Sequence, residues 1–107
     1  MQDQLKSDDF QFGIIGLGLI GGSIAKSLSA NKFEVFAEDS NKSYYDEAIK
    51  DKALVGSLDE INKSKDLILI ICVPVSAHED VFLRHSNLFN NAKLVTDCSS
   101  VKNSVLD

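Results

Sequence analysis

Proline occurs once in this 107-residue chain and cysteine twice, and no apolar run approaches the length of a membrane span. The most apolar run, LILIICV at residues 67–73, is far short of the ~18 residues that a spanning helix needs. The first nine residues, MQDQLKSDD, are polar and lack the apolar core of a secretory signal, so a cytoplasmic protein is expected. Cys72 and Cys98 have no C-x-x-C spacing, which leaves zinc and thioredoxin-like chemistry without support. Two buried thiols, and no metal, are expected instead. Basic residues form no stripe, and the formal net charge of −5 argues against a protein that tracks a nucleic-acid backbone. Internal repeats and low-complexity segments are also missing.

What is present suffices for one domain. Hydrophobic residues make up 44% of the chain, enough for a core of its own. Four segments read as strands: FGII (12–15), FEVFA (33–37), LILIICV (67–73) and KLVTD (93–97). The third carries no polar side chain, as a strand needs when helices cover both its faces. Helical periods lie between them. Ser57 with Glu60, and Ser76 with Glu79, read as capping boxes that start helices. After Ser76, residues Ala77, Val81, Phe82, Leu88 and Phe89 fall on one helical face, and Tyr45, Ala48 and Ile49 mark a second stripe. The alternation predicts an α/β, Rossmann-like, doubly wound parallel sheet. Residues 1–9 are expected to be a flexible tail and residues 10–107 a dinucleotide-binding domain. The closing SSVKNSVLD reads as the opening of a further helix, so the fold is expected to be a fragment, truncated before its last strand or strands.

Five of the six glycines fall within residues 13–22. Gly16, Gly18 and Gly21 form G-x-G-x-x-G directly after a strand and directly before a helix. In that context the first glycine permits the tight turn, the second lets a pyrophosphate approach the main chain, and the third lets helix and strand pack closely. The helix starting near Leu19 and Ile20 then offers free N–H groups and the positive end of its dipole to the phosphates. Asp39, at the end of the second strand, can accept the ribose hydroxyls of an adenosine and would repel a 2′-phosphate. NAD is therefore favoured over NADP. Glu38 adds to the repulsion although it is expected to face solvent, whereas Lys42 could pair with a 2′-phosphate or be an ordinary solvated first-turn residue.

From IIGLGLIGGSIAKSL through CVPVSA to VTDCSSVKNSV, roughly residues 11–106, the sequence resembles the N-terminal domain of prephenate and arogenate dehydrogenases. These enzymes oxidise a cyclohexadienyl ring hydroxyl by hydride transfer to nicotinamide, with loss of carboxylate, in tyrosine biosynthesis. The resemblance implies that Gly16, Gly18 and Gly21 hold the pyrophosphate and Asp39 the adenosine ribose. It puts Val73, Pro74 and Val75 beside the nicotinamide, at the end of the family's fourth strand. Ser100 matches a serine near the reacting hydroxyl, a position that a helix-capping serine would equally fill. Ser99 and Asn103 stand where the family usually has glycine. The family's catalytic histidine and substrate-binding arginine lie beyond this chain. His78, expected on an exposed first turn, and His85, expected partly buried and hydrogen-bonded, do not replace them. The resemblance thus implies a chain inactive alone, within a homodimeric enzyme acting on prephenate or arogenate. Another β-hydroxyacid or imine dehydrogenase, or a non-catalytic NAD-binding module, remains as an alternative.

Overall fold

Alternation of the apolar residues across each strand splits this molecule into two cores, one on either side of a sheet. The computed structural model describes residues 9–98. Its strands are β1 (Phe10–Ile15), β2 (Glu34–Glu38), β3 (Gly56–Ser57), β4 (Asp66–Ile71) and β5 (Leu94–Asp97), all parallel, in the order β3-β2-β1-β4-β5. The helices are α1 (Leu19–Ala30), α2 (Lys42–Lys50), α3 (His78–Arg84) and α4 (Ser86–Asn91). This is the expected Rossmann-like α/β fold, with its switch point between β1 and β4.

One core joins Ile14, Val35, Ala37 and Ile70 to Leu17, Ala25 and Ala48 under α1 and α2. The other joins Ile15, Phe36 and Leu69 to Leu58 and Val81, with Leu88 and Phe89 of α4 packed against it. Consecutive residues of β1, β2 and β4 thus serve opposite faces, which is why the β4 run holds no polar side chain. Each fully buried Ile, Leu or Val contributes about 1.5–3 kcal/mol. Gln11 is the buried polar residue of the sheet, and it is fully matched. Its amide donates to the Asn62 and Lys65 carbonyls and accepts the Asn62 N–H, fixing the loop that leads into β4.

Register sets the site. Ile15 lies level with Glu38 on one side and Ile71 on the other, and Ile71 lies level with Asp97. Four strands therefore stop together, and the next residues are Gly16, Asp39, Cys72 and Cys98.

Several local expectations are corrected. β4 ends at Ile71, so Cys72 and Val73 leave the sheet. β3 is a two-residue strand with too few side chains to leave a period in the sequence. Neither capping box forms. Ser57 precedes a single 3-10 turn, Leu58–Glu60, and makes no side-chain capping bond. Ser76 lies inside another 3-10 turn, Val75–Ala77, begun by Pro74; the Ala77 N–H donates to the Pro74 carbonyl at 2.9 Å, and the N-cap of α3 is Ala77, one residue past that serine. The side-chain cap that does form is Asn41, whose Oδ1 accepts the Ser43 N–H at 3.0 Å to start α2. The stripe after Ser76 is broken at His85 into two helices, which buries Val81 and leaves Phe82 half-exposed against Phe89. Among the described residues no helix is long and apolar enough to cross a membrane. No group of three or more His, Cys, Asp or Glu there could hold a metal ion.

Candidate functional site at the carboxyl ends of the strands

The three loop glycines are needed for different reasons. Gly16 adopts φ +103°, a left-handed conformation, and a Cβ there would lie 2.8 Å from the Cys72 carbonyl oxygen. At Gly21 a Cβ would fall 1.9 Å from the Gly16 carbonyl oxygen, so the first turn of α1 can sit on the loop only without one. Gly18 has an ordinary φ of −66°, and nothing in the chain lies within 4 Å of where its Cβ would stand. The chain's own packing thus demands Gly16 and Gly21 and makes no demand for Gly18.

Gly18 is also the N-cap of α1. It has no side chain with which to cap, and the first turn holds no acidic residue. Early N–H groups of α1 consequently receive no side-chain acceptor from the cap, leaving donors and a positive dipole end beside open space. Leu19 and Ile20 flank that space, Leu19 almost fully exposed at 89%.

Asp39 stands one residue beyond β2. Its Oδ2 accepts the Leu17 N–H at 2.5 Å and its Oδ1 accepts the Asn41 N–H at 2.7 Å. The carboxylate therefore ties the glycine loop to the turn entering α2. An ionised carboxylate has about four acceptor positions, so these two bonds leave capacity for further hydroxyl donors. Beside it opens a cleft of about 460 Å³ bounded by Glu38, Asp39, Ser40, Tyr45, Asp80 and Arg84. Lys42 points away from this cleft into an i,i+4 pair with Asp46 and is largely exposed.

Residues 11–105 match the family model described as the NAD binding domain of 6-phosphogluconate dehydrogenase. This chain belongs to that family of NAD-binding domains. Its cofactor is accordingly a nicotinamide dinucleotide. A glycine needed by no part of the fold, at the mouth of a helix with free N–H groups, fits a pyrophosphate on structural grounds as well. The crystal structure of Synechocystis arogenate dehydrogenase superposes on 81% of the chain with a TM-score of 0.65 and 21% identity, a likeness of fold. The chain spans about a third (32%) of that protein. No curated protein matches it.

Within this NAD-binding domain, Glu38 departs from expectation. It does not face solvent: its carboxylate accepts from Arg84 Nη1 at 2.8 Å and His85 Nε2 at 2.9 Å, and Arg84 is held again by Asp80 at 2.9 Å. Burial pushes the Glu38 carboxyl up, but hydrogen bonds from His85 and Arg84, reinforced by their charges, outweigh it and hold it below the ordinary value. His85 is partly buried and hydrogen-bonded, as expected.

His78 is a second departure. It is not exposed: the 3-10 turn after Pro74 swings α3 back over the strand ends. There Nε2 donates to the Val73 carbonyl at 3.2 Å and Nδ1 lies 3.5 Å from Asp97. Val73, Pro74 and Val75 follow directly from the carboxyl end of β4, Val73 packed on the second core and Val75 exposed. Ser99, Ser100 and Asn103 lie outside the described residues, as does the further helix expected at the end of the chain.

Contact between Cys72 and Cys98 has no signal in the sequence, because strand register rather than spacing brings them together. They are partly exposed rather than two separate buried thiols. Burial first, then the Cys98 thiol hydrogen-bonded to it, then Asp97, push the Cys72 thiol up to about 12.

Proposed function

We propose that this domain binds NAD in preference to NADP and serves a dehydrogenase of the prephenate or arogenate type. The observation that carries dinucleotide binding is Gly18, whose missing side chain opens space that the fold itself leaves empty. Gly16, Gly18, Gly21 and the first-turn N–H groups at Leu19 and Ile20 hold the pyrophosphate. Asp39 accepts the adenosine ribose hydroxyls, and with Glu38 and Asp80 beside the same cleft, both already pairing its cation Arg84, the surroundings disfavour a 2′-phosphate. Val73, Pro74 and Val75 border the nicotinamide, and Ser100 serves the substrate hydroxyl, as the resemblance implies. The cofactor supplies a hydride acceptor; this chain contributes binding and orientation.

The substrate class rests on TDCSSVK, beginning in the last two residues of β5, together with VPV after β4, and a fold shared with an arogenate dehydrogenase agrees with it. The family match to the domain of 6-phosphogluconate dehydrogenase favours a second reading, a β-hydroxyacid dehydrogenase. Calorimetry with NAD and NADP tests the cofactor: tighter binding of NADP would overturn the role of Asp39. The full product of the reading frame, offered prephenate, arogenate and a panel of β-hydroxyacids, tests the substrate. Oxidation of only the β-hydroxyacids would replace the first reading by the second. The 107-residue chain alone is expected to turn over neither prephenate nor arogenate, and the intact enzyme is expected to be a cytoplasmic homodimer.

A further inference from the structure

The geometry points to Cys72 and Cys98 as a reversible disulfide site that couples thiol oxidation to dinucleotide binding. They directly follow Ile71 and Asp97, the last register pair of the adjacent parallel strands β4 and β5. The strand ends they leave from run about 4.8 Å apart, inside the Cα separation of roughly 4.4–6.8 Å that a disulfide spans. Both thiols are free and both are partly exposed, and the Cys98 thiol is near enough to help push the Cys72 thiol up. They also pack against the same hydrophobic cluster, so neither strand end has to cross the sheet to reach the other.

Cys72 is also part of the glycine loop's support. Its carbonyl lies where a Gly16 side chain would be, and its Cβ is 3.3 Å from where a Gly21 Cβ would stand. A cross-link that draws the Cys72 side chain toward β5 therefore shifts the Cβ that packs at Gly21 and, through the Cys72 main chain, the carbonyl that packs at Gly16. Oxidation is then felt at the phosphate-binding turn.

A low-molecular-weight disulfide is the oxidant. Because Cys72 holds its proton, Cys98 reacts first: its thiol gives its proton to water and its sulfur attacks the small disulfide, forming a mixed disulfide and expelling one small thiolate. Cys72 then loses its proton to water and attacks the Cys98 sulfur, expelling the second small thiolate. Two protein thiols are oxidised and one small disulfide is reduced to two thiols.

The coupling rests on the dinucleotide reading; the cross-link does not. The test treats the chain with glutathione disulfide and follows intact mass, peptide maps and NAD affinity. Expected are the loss of two hydrogen masses, a linked peptide pair containing positions 72 and 98, reversal by dithiothreitol, and NAD binding roughly tenfold weaker when oxidised. Bound NAD should slow the cross-link, and C72S or C98S should abolish it. If either variant fails to fold, the wild-type peptide map decides alone. Glutathione adducts or dimers between chains, with no internal link, overturn the site. Equal NAD affinity of oxidised and reduced chain overturns the coupling. A reduced chain that binds no dinucleotide refutes the cofactor reading and leaves the cross-link standing.

Discussion

Asp39 and Leu17 are joined by a hydrogen bond from the Leu17 backbone N–H to Asp39 Oδ2, and that bond crosses from the turn after β1 to the residue after β2. The same carboxylate proposed to receive the ribose also holds the phosphate loop in shape. Asp39→Ala should therefore weaken NAD binding by about 1–3 kcal/mol and narrow the gap to NADP. It should also lower the melting temperature, because the Leu17 N–H loses its acceptor. Calorimetry with both cofactors, beside a thermal melt, checks the pair of effects; an unchanged NAD affinity would remove Asp39 from the site.

Stability and binding should separate within the glycine loop. Gly18→Val places its side chain in open space and is expected to melt like the wild type while losing dinucleotide affinity. Gly21→Val, whose Cβ would meet the Gly16 carbonyl oxygen at 1.9 Å, should unfold the domain. A Gly18→Val chain that binds NAD normally would leave the glycines with a packing role alone.

Acid should expose the Glu38 cluster. The folded carboxyl titrates below its ordinary value of 4.5, so it contributes stability that is present above that value and is lost as pH falls through the depressed folded value. Glu38→Gln should flatten that part of the acid limb and leave the neutral range less stable. Denaturant midpoints measured from neutral pH down to pH 3 would show it; parallel curves for the two proteins would contradict it.

Gln11→Leu should cost about 1–3 kcal/mol, since it removes three part-buried bonds to the Asn62–Lys65 loop. Chemical denaturation measures it directly. A neutral substitution would mean that the loop finds water in place of the amide.

Much of this architecture was readable because it rests on local signals. The all-apolar run after Asp66 in β4 announces a sheet covered on both faces, and glycines at 16, 18 and 21 announce a turn between strand and helix. What was not readable depends on partners distant in the chain. Ser57–Glu60 and Ser76–Glu79 carry the residue pattern of a capping box, yet Pro74 and the short 3-10 turns use the backbone differently. Glu38 looks solvent-bound beside Asp39 until α3 delivers Arg84 and His85 to it. His78 looks exposed until the same turn folds it onto Asp97. The meeting of Cys72 with Cys98 follows only from β4 and β5 lying side by side.

Because β1, β2, β4 and β5 stop level with one another, the sheet works as a measuring edge for the residues that follow it. One residue inserted inside a single strand would push its terminal group along by about 3.3 Å and turn it to the opposite face. Strand lengths in this protein are therefore tied to one another. The loops entering the strands at the far end, such as the one pinned by Gln11, take no part in setting that edge.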